Sequence, residues 1–173
     1  MPLAANLKRF LNRYGIQYRL LHHDRTNTLE ETAEVVEVDK TQIIKAWILG
    51  DGEGYVMVVL PLFTKIDYFK LKRKLYRSLQ LLPRKEINKL FYDCEPGSYP
   101  PIGEIYNLEW VLDESLYQLK YVYFESGCHS VLVQISMEDF LFLSNGAHYS
   151  SFADQDAIRI NKHPERTVLS LTT

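Results

Sequence analysis

Residues 43–62 read Ile43-Ile44-Lys45-Ala46-Trp47-Ile48-Leu49-Gly50-Asp51-Gly52-Glu53-Gly54-Tyr55-Val56-Met57-Val58-Val59-Leu60-Pro61-Leu62. Two apolar runs, 43–49 and 55–62, flank five residues made only of glycine and carboxylate, the composition of a β-hairpin connection. Lys45 is one cation in an otherwise apolar strand. Burying it unpaired would be costly, so its side chain must either reach the rim or point into a polar cleft.

Upstream of the hairpin, Leu3, Leu7, Phe10, Leu11 and Tyr14 recur at helical spacing, and Gly15 stands where a helix stops. Gln17 to Leu21 reads as a short strand. Thr28-Leu29-Glu30-Glu31 is a capping-box pattern, with Thr28 at the N-cap and Glu31 three residues on. It predicts a helix to about Val38 with Ala33 and Val36 on the buried side. Downstream, apolar positions from Ile66 to Leu82 return to helical spacing, and Pro83 suits the first turn of another short helix. The segment Cys94 to Gly103 holds Pro96, Gly97, Pro100, Pro101 and Gly103, which makes it a loop. Strands are expected at Glu109–Leu112, Lys120–Phe124 and Ser130–Ile135. Ser136 then caps a last helix through about Leu143, with Asp139 at the reciprocal position.

Helices and strands alternate irregularly, with a hairpin early and strands clustered late. That order predicts an α+β, or mixed α/β, fold: one compact domain over residues 1–153, with helices flanking a mixed β-sheet. Residues 154–173 are polar and aperiodic. They read either as a tail or as a linker to an additional C-terminal domain.

Composition sets outer limits. The chain has 173 residues, 46% of them hydrophobic, enough for one sizeable core. Twenty basic residues against 22 acidic ones give a net charge of −2, which excludes a uniformly basic nucleic-acid wrapper. The longest apolar run, Tyr55 to Phe63, falls short of the roughly 18 residues a membrane helix needs. Lys8, Arg9 and Arg13 interrupt any signal-peptide core. Cys94 and Cys128 allow at most one disulfide, too few for a stapled secreted scaffold. The expectation is a soluble cytoplasmic protein with no membrane partner.

Three groups of residues invite a chemical reading. From Lys65 to Lys89 the chain carries Lys65, Lys70, Lys72, Arg73, Lys74, Arg77, Arg84, Lys85 and Lys89 against Asp67 and Glu86. Lys70, Lys74 and Arg77 would share one face of the expected helix, with Tyr68, Phe69 and Tyr76 interleaved. Such a face is either an ordinary solvated surface or the footprint of a phosphate-backbone partner. The loop Glu95-Pro96-Gly97-Ser98-Tyr99-Pro100-Pro101-Ile102-Gly103 is stiffened by proline, and its glycines allow backbone close to a ligand. In Gly127-Cys128-His129, a Cys–His nucleophile pair is geometrically poor because neighbours on a strand face opposite sides. His22, His23, His129, His148 and Cys94 lack metal-ligand spacing, and no phosphate-loop, dinucleotide or nucleophile-elbow motif is present. No metal or cofactor is implied.

In order, these segments resemble the YbaK / prolyl-tRNA-synthetase-associated superfamily of free-standing aminoacyl-tRNA deacylases and editing insertion domains. The resemblance runs from about Tyr14 to Phe152. It rests on the helix start near Thr28, the strand lysine Lys45, the Gly-x-x-x-Pro-x-Gly loop from Gly97 to Gly103, and Gly127-x-His129 before a strand and the Asp139-containing helix. It implies a pocket between Lys45 and the loop that takes the aminoacyl group and terminal adenosine of a mischarged tRNA. Carried over, Lys45, Gly97, Ser98 and Gly103 are catalytic, positioning substrate and water. Tyr99, Pro100, Pro101, Gly127 and His129 bind substrate, the last two from the opposite wall. Lys70, Lys74 and Arg77 meet the tRNA backbone.

A sparse site suits such a reaction, since an aminoacyl ester is already activated and hydrolysis needs mainly a positioned water and a stabilised oxyanion. Two features depart from the family pattern. Tyr99 stands where members usually carry a small residue, and Val131-Leu132-Val133-Gln134 lacks a carboxylate that several members place there. They motivate the alternative, a diverged module of a larger protein that binds aminoacyl-tRNA, or a ligand like it, and regulates an attached domain.

Overall fold

The computed structural model describes residues 2–154. Within them, α1 (Ala5–Arg13) leads through Gly15 to β1 (Arg19–His22), and α2 (Leu29–Val35) precedes the hairpin of β2 (Ile44–Asp51) and β3 (Gly54–Pro61). Then follow α3 (Tyr68–Leu75), the two-residue β4 (Gln80–Leu81), α4 (Arg84–Leu90), β5 (Glu109–Asp113), β6 (Tyr121–Glu125), β7 (Val131–Ser136), α5 (Met137–Leu143) and β8 (His148–Ser150). Of the expected tail, 154–173, all but Asp154 lies outside the described residues. None of the described helices is long and apolar enough to cross a membrane.

The expected hairpin forms with Ile44 opposite Pro61 and Asp51 opposite Gly54. It is the centre of a five-stranded sheet ordered β4-β2-β3-β5-β8, in which β3–β5 and β5–β8 run parallel. A second, three-stranded antiparallel sheet, β1-β7-β6, packs beside it. The fold is therefore α+β as expected, with two sheets where one was expected. They meet at a single parallel bridge between Ile43 and Tyr123.

Apolar side chains on β3 alternate between two cores. Met57 and Val59 join Leu7, Leu11, Trp110, Phe124 and Phe140 on one side, while Val56, Val58 and Leu60 join Leu71, Val111 and Phe152 on the other. All five of these β3 residues are fully buried, so the hairpin's register is fixed by hydrophobic burial on both faces. Helix starts follow the cap chemistry read from sequence. The Thr28 hydroxyl accepts from the Glu31 amide at 3.1 Å, and Ser136 caps α5 through the Asp139 amide at 3.0 Å. The Glu31 carboxylate reaches back to the Asn27 amide at 2.8 Å.

The Ile66–Leu82 segment departs from expectation. Asp67 caps α3, but the helix stops at Leu75 because Tyr76 adopts a left-handed conformation (φ 55°). Arg77 therefore leaves the helical face it was expected to share with Lys70 and Lys74. It turns inward, its side chain only 13% exposed, and grips Asp51 through Nη2 at 2.6 Å and Nε at 2.9 Å. Nη1 reaches Glu109 at 3.0 Å and Nη2 the Gly54 carbonyl at 3.2 Å. This guanidinium joins the hairpin turn to the start of β5 and is committed to carboxylates. The α2 helix likewise ends three residues earlier than expected, with Val36 extended.

Two stability outcomes follow. Arg77 holds the Asp51 carboxyl down at about 2. That contribution is present above the ordinary carboxylate range and is lost as the pH falls through about 2. Arg77→Ala should unfold at lower denaturant than wild type at neutral pH, with the gap narrowing toward pH 2, as followed by urea titration. Gly103 starts a 3-10 turn under Trp110, where an added Cβ would sit 2.6 Å from Trp110 Cγ and 2.9 Å from the Leu108 carbonyl. Gly103→Ala should lower stability by about 1–3 kcal/mol in the same titration.

Candidate functional site

The parallel bridge between Ile43 and Tyr123 aligns β2 with β6, and the pairing goes no further. Two residues on from the bridge along each strand stand Lys45 and Glu125, so the gap between the sheets opens where these two charged groups face it. The cleft has a volume of about 240 Å3. Lys45, Trp47 and Glu125 line it from the strands, Thr28 and Glu30 from the start of α2, Arg84 and Ile87 from α4, and Gly97 and Tyr99 from the loop.

Lys45 points into a polar cleft, the second of its two expected solutions. Its Nζ lies 2.7 Å from Glu30 Oε1 and 4.4 Å from the centre of the Trp47 ring. Trp47 shares its face because strand neighbours two apart point the same way. The capping box at Thr28 thus has a second consequence: it fixes the helix start from which Glu30 meets Lys45. Both flanking interactions hold the Lys45 side chain in place inside a half-buried site.

Glu125 ends the apolar run Val122-Tyr123-Phe124 and is buried. Its Oε2 accepts a 3.3 Å hydrogen bond from the Tyr99 amide. Burial pushes the carboxyl up to about 8 and Glu30 adds to the rise, while the Tyr99 amide and the Lys45 charge oppose it. Sequence reading missed Glu125 and Glu30. The available signal was the one that exposed Lys45, a charge at the end of an apolar strand, joined to the carboxylate inside the capping box.

The Gly97–Gly103 loop is held from behind. Glu95 accepts from the His129 amide at 2.7 Å and from Arg25 at 3.0 Å, and its own amide donates to the Gly127 carbonyl at 2.8 Å. The His129 ring donates from Nε2 to the Pro96 carbonyl at 2.9 Å, which fixes that nitrogen as the protonated one. Gly97 has φ +97°, a backbone conformation that favours glycine, and it brings the chain against the His129 ring. The Tyr99 ring packs on Phe91 with centroids 4.6 Å apart, and its hydroxyl donates to Asn88.

Of the residues expected at the site, the cleft gathers Lys45, Gly97 and Tyr99. The others lie elsewhere. Ser98 is fully buried and its amide donates to the Glu95 carbonyl at 3.0 Å, so the residue closes a turn. Pro100, Pro101 and Gly103, in the second half of the loop, are buried, and Gly103 is a packing glycine under Trp110. Gly127 packs on Ala4 and Cys94, and His129 stands behind the loop instead of forming an opposite wall. Burial drives the Cys94 thiol up to about 12, and it is hydrogen-bonded with Tyr106, which makes it a poor nucleophile. Lys70 and Lys74 remain on α3, away from the cleft lining, with Lys70 3.7 Å from Asp67. Among the described residues no three His, Cys, Asp or Glu side chains are grouped to hold a metal ion.

Both the sequence and the fold have counterparts among known proteins. The family described as the aminoacyl-tRNA editing domain matches residues 23–143, a segment that contains every cleft residue named above. Over 102 residues the chain is 32% identical to a proline–tRNA ligase of Thermosipho melanesiensis, an alignment that takes in 58% of this chain and 18% of the ligase. The fold resembles that of a candidate trans-editing enzyme for prolyl tRNA synthetase, with TM-score 0.76 and 22% identity over 89% of this chain and 98% of that one. It also resembles part of a candidate signal transduction protein from Marinobacter aquaeolei VT8, with TM-score 0.73 and 19% identity. That match covers 90% of this chain and 32% of the other. The structural likenesses establish the fold, and the family match spans well over half of the sequence and both walls of the cleft. The chain belongs to the aminoacyl-tRNA editing domain family.

Proposed function

We propose that the protein hydrolyses the aminoacyl ester of a mischarged tRNA, acting in trans, with the cleft between β2, β6 and the Gly97 loop as the site. The observation that carries this reading is Lys45 held half-buried between Glu30 and Trp47 in a cleft wide enough for a small acyl group. The ester carbonyl needs a nearby positive charge when it becomes an oxyanion, and an ammonium in a shielded cleft stabilises it far better than one in water. Tyr99, fixed through Phe91 and Asn88, narrows the cleft on the loop side and sets the size of acyl group accepted. The loop's Ser98 and Tyr99 amides are engaged within the protein, so side chains, rather than these amides, face the substrate.

The tRNA partner is reached over the basic segment, with Arg77 withdrawn from it by its carboxylates. Arg84 lines the cleft mouth, while Lys72, Arg73 and Lys74 are exposed on α3, beyond β4. β4 itself pairs with β2 through Leu81 and Leu49, which connects the α3 surface to the cleft edge. A second reading, a binding module that regulates an attached domain, draws on the likeness to a third of the Marinobacter protein. Turnover separates the two readings.

With alanine, cysteine and serine charged on proline tRNA, and correct pairs as controls, wild type should hydrolyse at least one mischarged member. Lys45→Ala should lower that rate about 10²–10³-fold. Full activity in Lys45→Ala removes the role of the cation, and binding without turnover on any substrate favours the regulatory module. In a filter-binding titration, Lys74→Glu and Arg84→Glu should each weaken tRNA binding and lower the salt slope by about one for every phosphate no longer neutralised. An unchanged slope returns these residues to ordinary surface.

A further inference from the structure

Ester hydrolysis at this site would be accelerated by a group that takes a proton from the attacking water, and the cleft offers few. Its lining contains two carboxylates, Glu30 and Glu125, and no histidine. Glu30 is bound to Lys45 at 2.7 Å and is about half exposed. The imidazole of His129 stands outside the lining and donates a hydrogen bond from Nε2 to the Pro96 carbonyl. Glu125 is buried, forms no ion pair among the described residues, and has one oxygen tethered to the Tyr99 amide.

Resting on the deacylase reading above, we propose that Glu125 is the general base of the reaction, a catalytic residue that accepts a proton from the attacking water. The water oxygen attacks the ester carbonyl carbon while one of its protons passes to the Glu125 carboxylate. The carbonyl π pair moves onto the carbonyl oxygen, and this oxyanion faces the Lys45 ammonium. On collapse the C=O bond re-forms and the bond to the ribose oxygen breaks. That oxygen takes the proton back from Glu125, so the tRNA leaves with its terminal hydroxyl, the amino acid leaves free, and the carboxylate is restored.

The surroundings suit the task. The tether through Tyr99 orients one oxygen and links the base to the loop that faces the acyl group. The charged and titratable groups around Glu125 are Lys45 on β2, Glu30 on α2, Cys94 and Tyr99 on the loop, and Arg84 at the mouth on α4. Lys45 draws its carboxyl down and Glu30 and burial raise it, with the balance near 8. A base is most effective when its pKa is near the working pH. Because the deprotonated form is the active one, the rate should climb with pH and level off above about 8.

The test is single-turnover deacylation of the mischarged proline tRNA panel between about pH 6 and 9, corrected for spontaneous hydrolysis, for wild type, Glu125→Gln and Glu125→Asp. Wild type should show the climb and plateau. Glu125→Gln, which keeps the shape of the side chain, should lose about 10²–10⁴-fold in rate and lose the plateau. Its affinity for an amide-linked, non-hydrolysable aminoacyl-tRNA should stay at the wild-type level. Glu125→Asp should recover part of the rate and the pH dependence. Direct carboxyl titration of Glu125 by NMR in the free protein should give the same midpoint as the rate measured at sub-saturating protein, which reports the free enzyme. A Glu125→Gln protein with wild-type rate, or one that loses only affinity for the analogue, overturns the proposal. Wild type that hydrolyses nothing in the panel overturns the deacylase reading itself, an outcome distinct from an active Glu125→Gln protein.

Discussion

Double-sided burial of β3 is the constraint from which the rest of the structure follows. Val56 through Leu60 are fully buried, with alternate side chains committed to different cores. A slip of one residue between β2 and β3 would exchange the two faces of β2 and drive Lys45 into the core occupied by Ile44, Ala46 and Ile48. Hydrophobic burial therefore fixes where a charge stands, although the charge contributes nothing to that burial. The Arg77 grip on Asp51, Glu109 and Gly54 braces the turn end of the same hairpin and ties it to β5.

The cleft exists because the two sheets meet at one bridge and then part. Strand order places Lys45 and Glu125 on its walls, and α2 brings Glu30 against the lysine. Lys45, Glu30 and Glu125 share the cleft with Arg84, and Lys45 and Glu30 act in opposite directions on the Glu125 carboxyl. The loop contributes shape more than donors, since the Glu95 carbonyl, the His129 ring and Glu125 take up polar groups of its backbone. A substrate entering this cleft meets preset groups, which lowers the cost of ordering it.

Much of the fold was legible because its local signals agreed with its tertiary structure. The hairpin, the caps at Thr28 and Ser136 and the three late strands stand within one or two residues of where the pattern puts them. Residues 76–81 were misread because apolar spacing continues through a break that only the left-handed Tyr76 reveals, and the same error put Arg77 on a surface. Lys45 was legible as a charge the apolar strand could not bury. Glu125 was not, because a carboxylate at a strand end reads as a solvated terminus until a second sheet covers it. Gly103, Gly127 and His129 lie outside the cleft lining, and packing glycines and substrate-facing glycines have the same spelling in sequence. The bond from His129 to Pro96 shows that a motif can serve a site from behind it.

On the proposed function, the aminoacyl end of a tRNA enters the cleft between Lys45 and the Gly97 loop. The most direct measurement is the change in NMR resonances on titrating the protein with an amide-linked aminoacyl-adenosine, which mimics the tRNA terminus and cannot hydrolyse. The largest shifts should fall on Glu30, Lys45, Trp47, Gly97, Tyr99 and Glu125, with the Trp47 indole among them. Shifts concentrated instead around the surface hollow of Glu104, Trp110 and His148, with the cleft resonances unmoved, would contradict it.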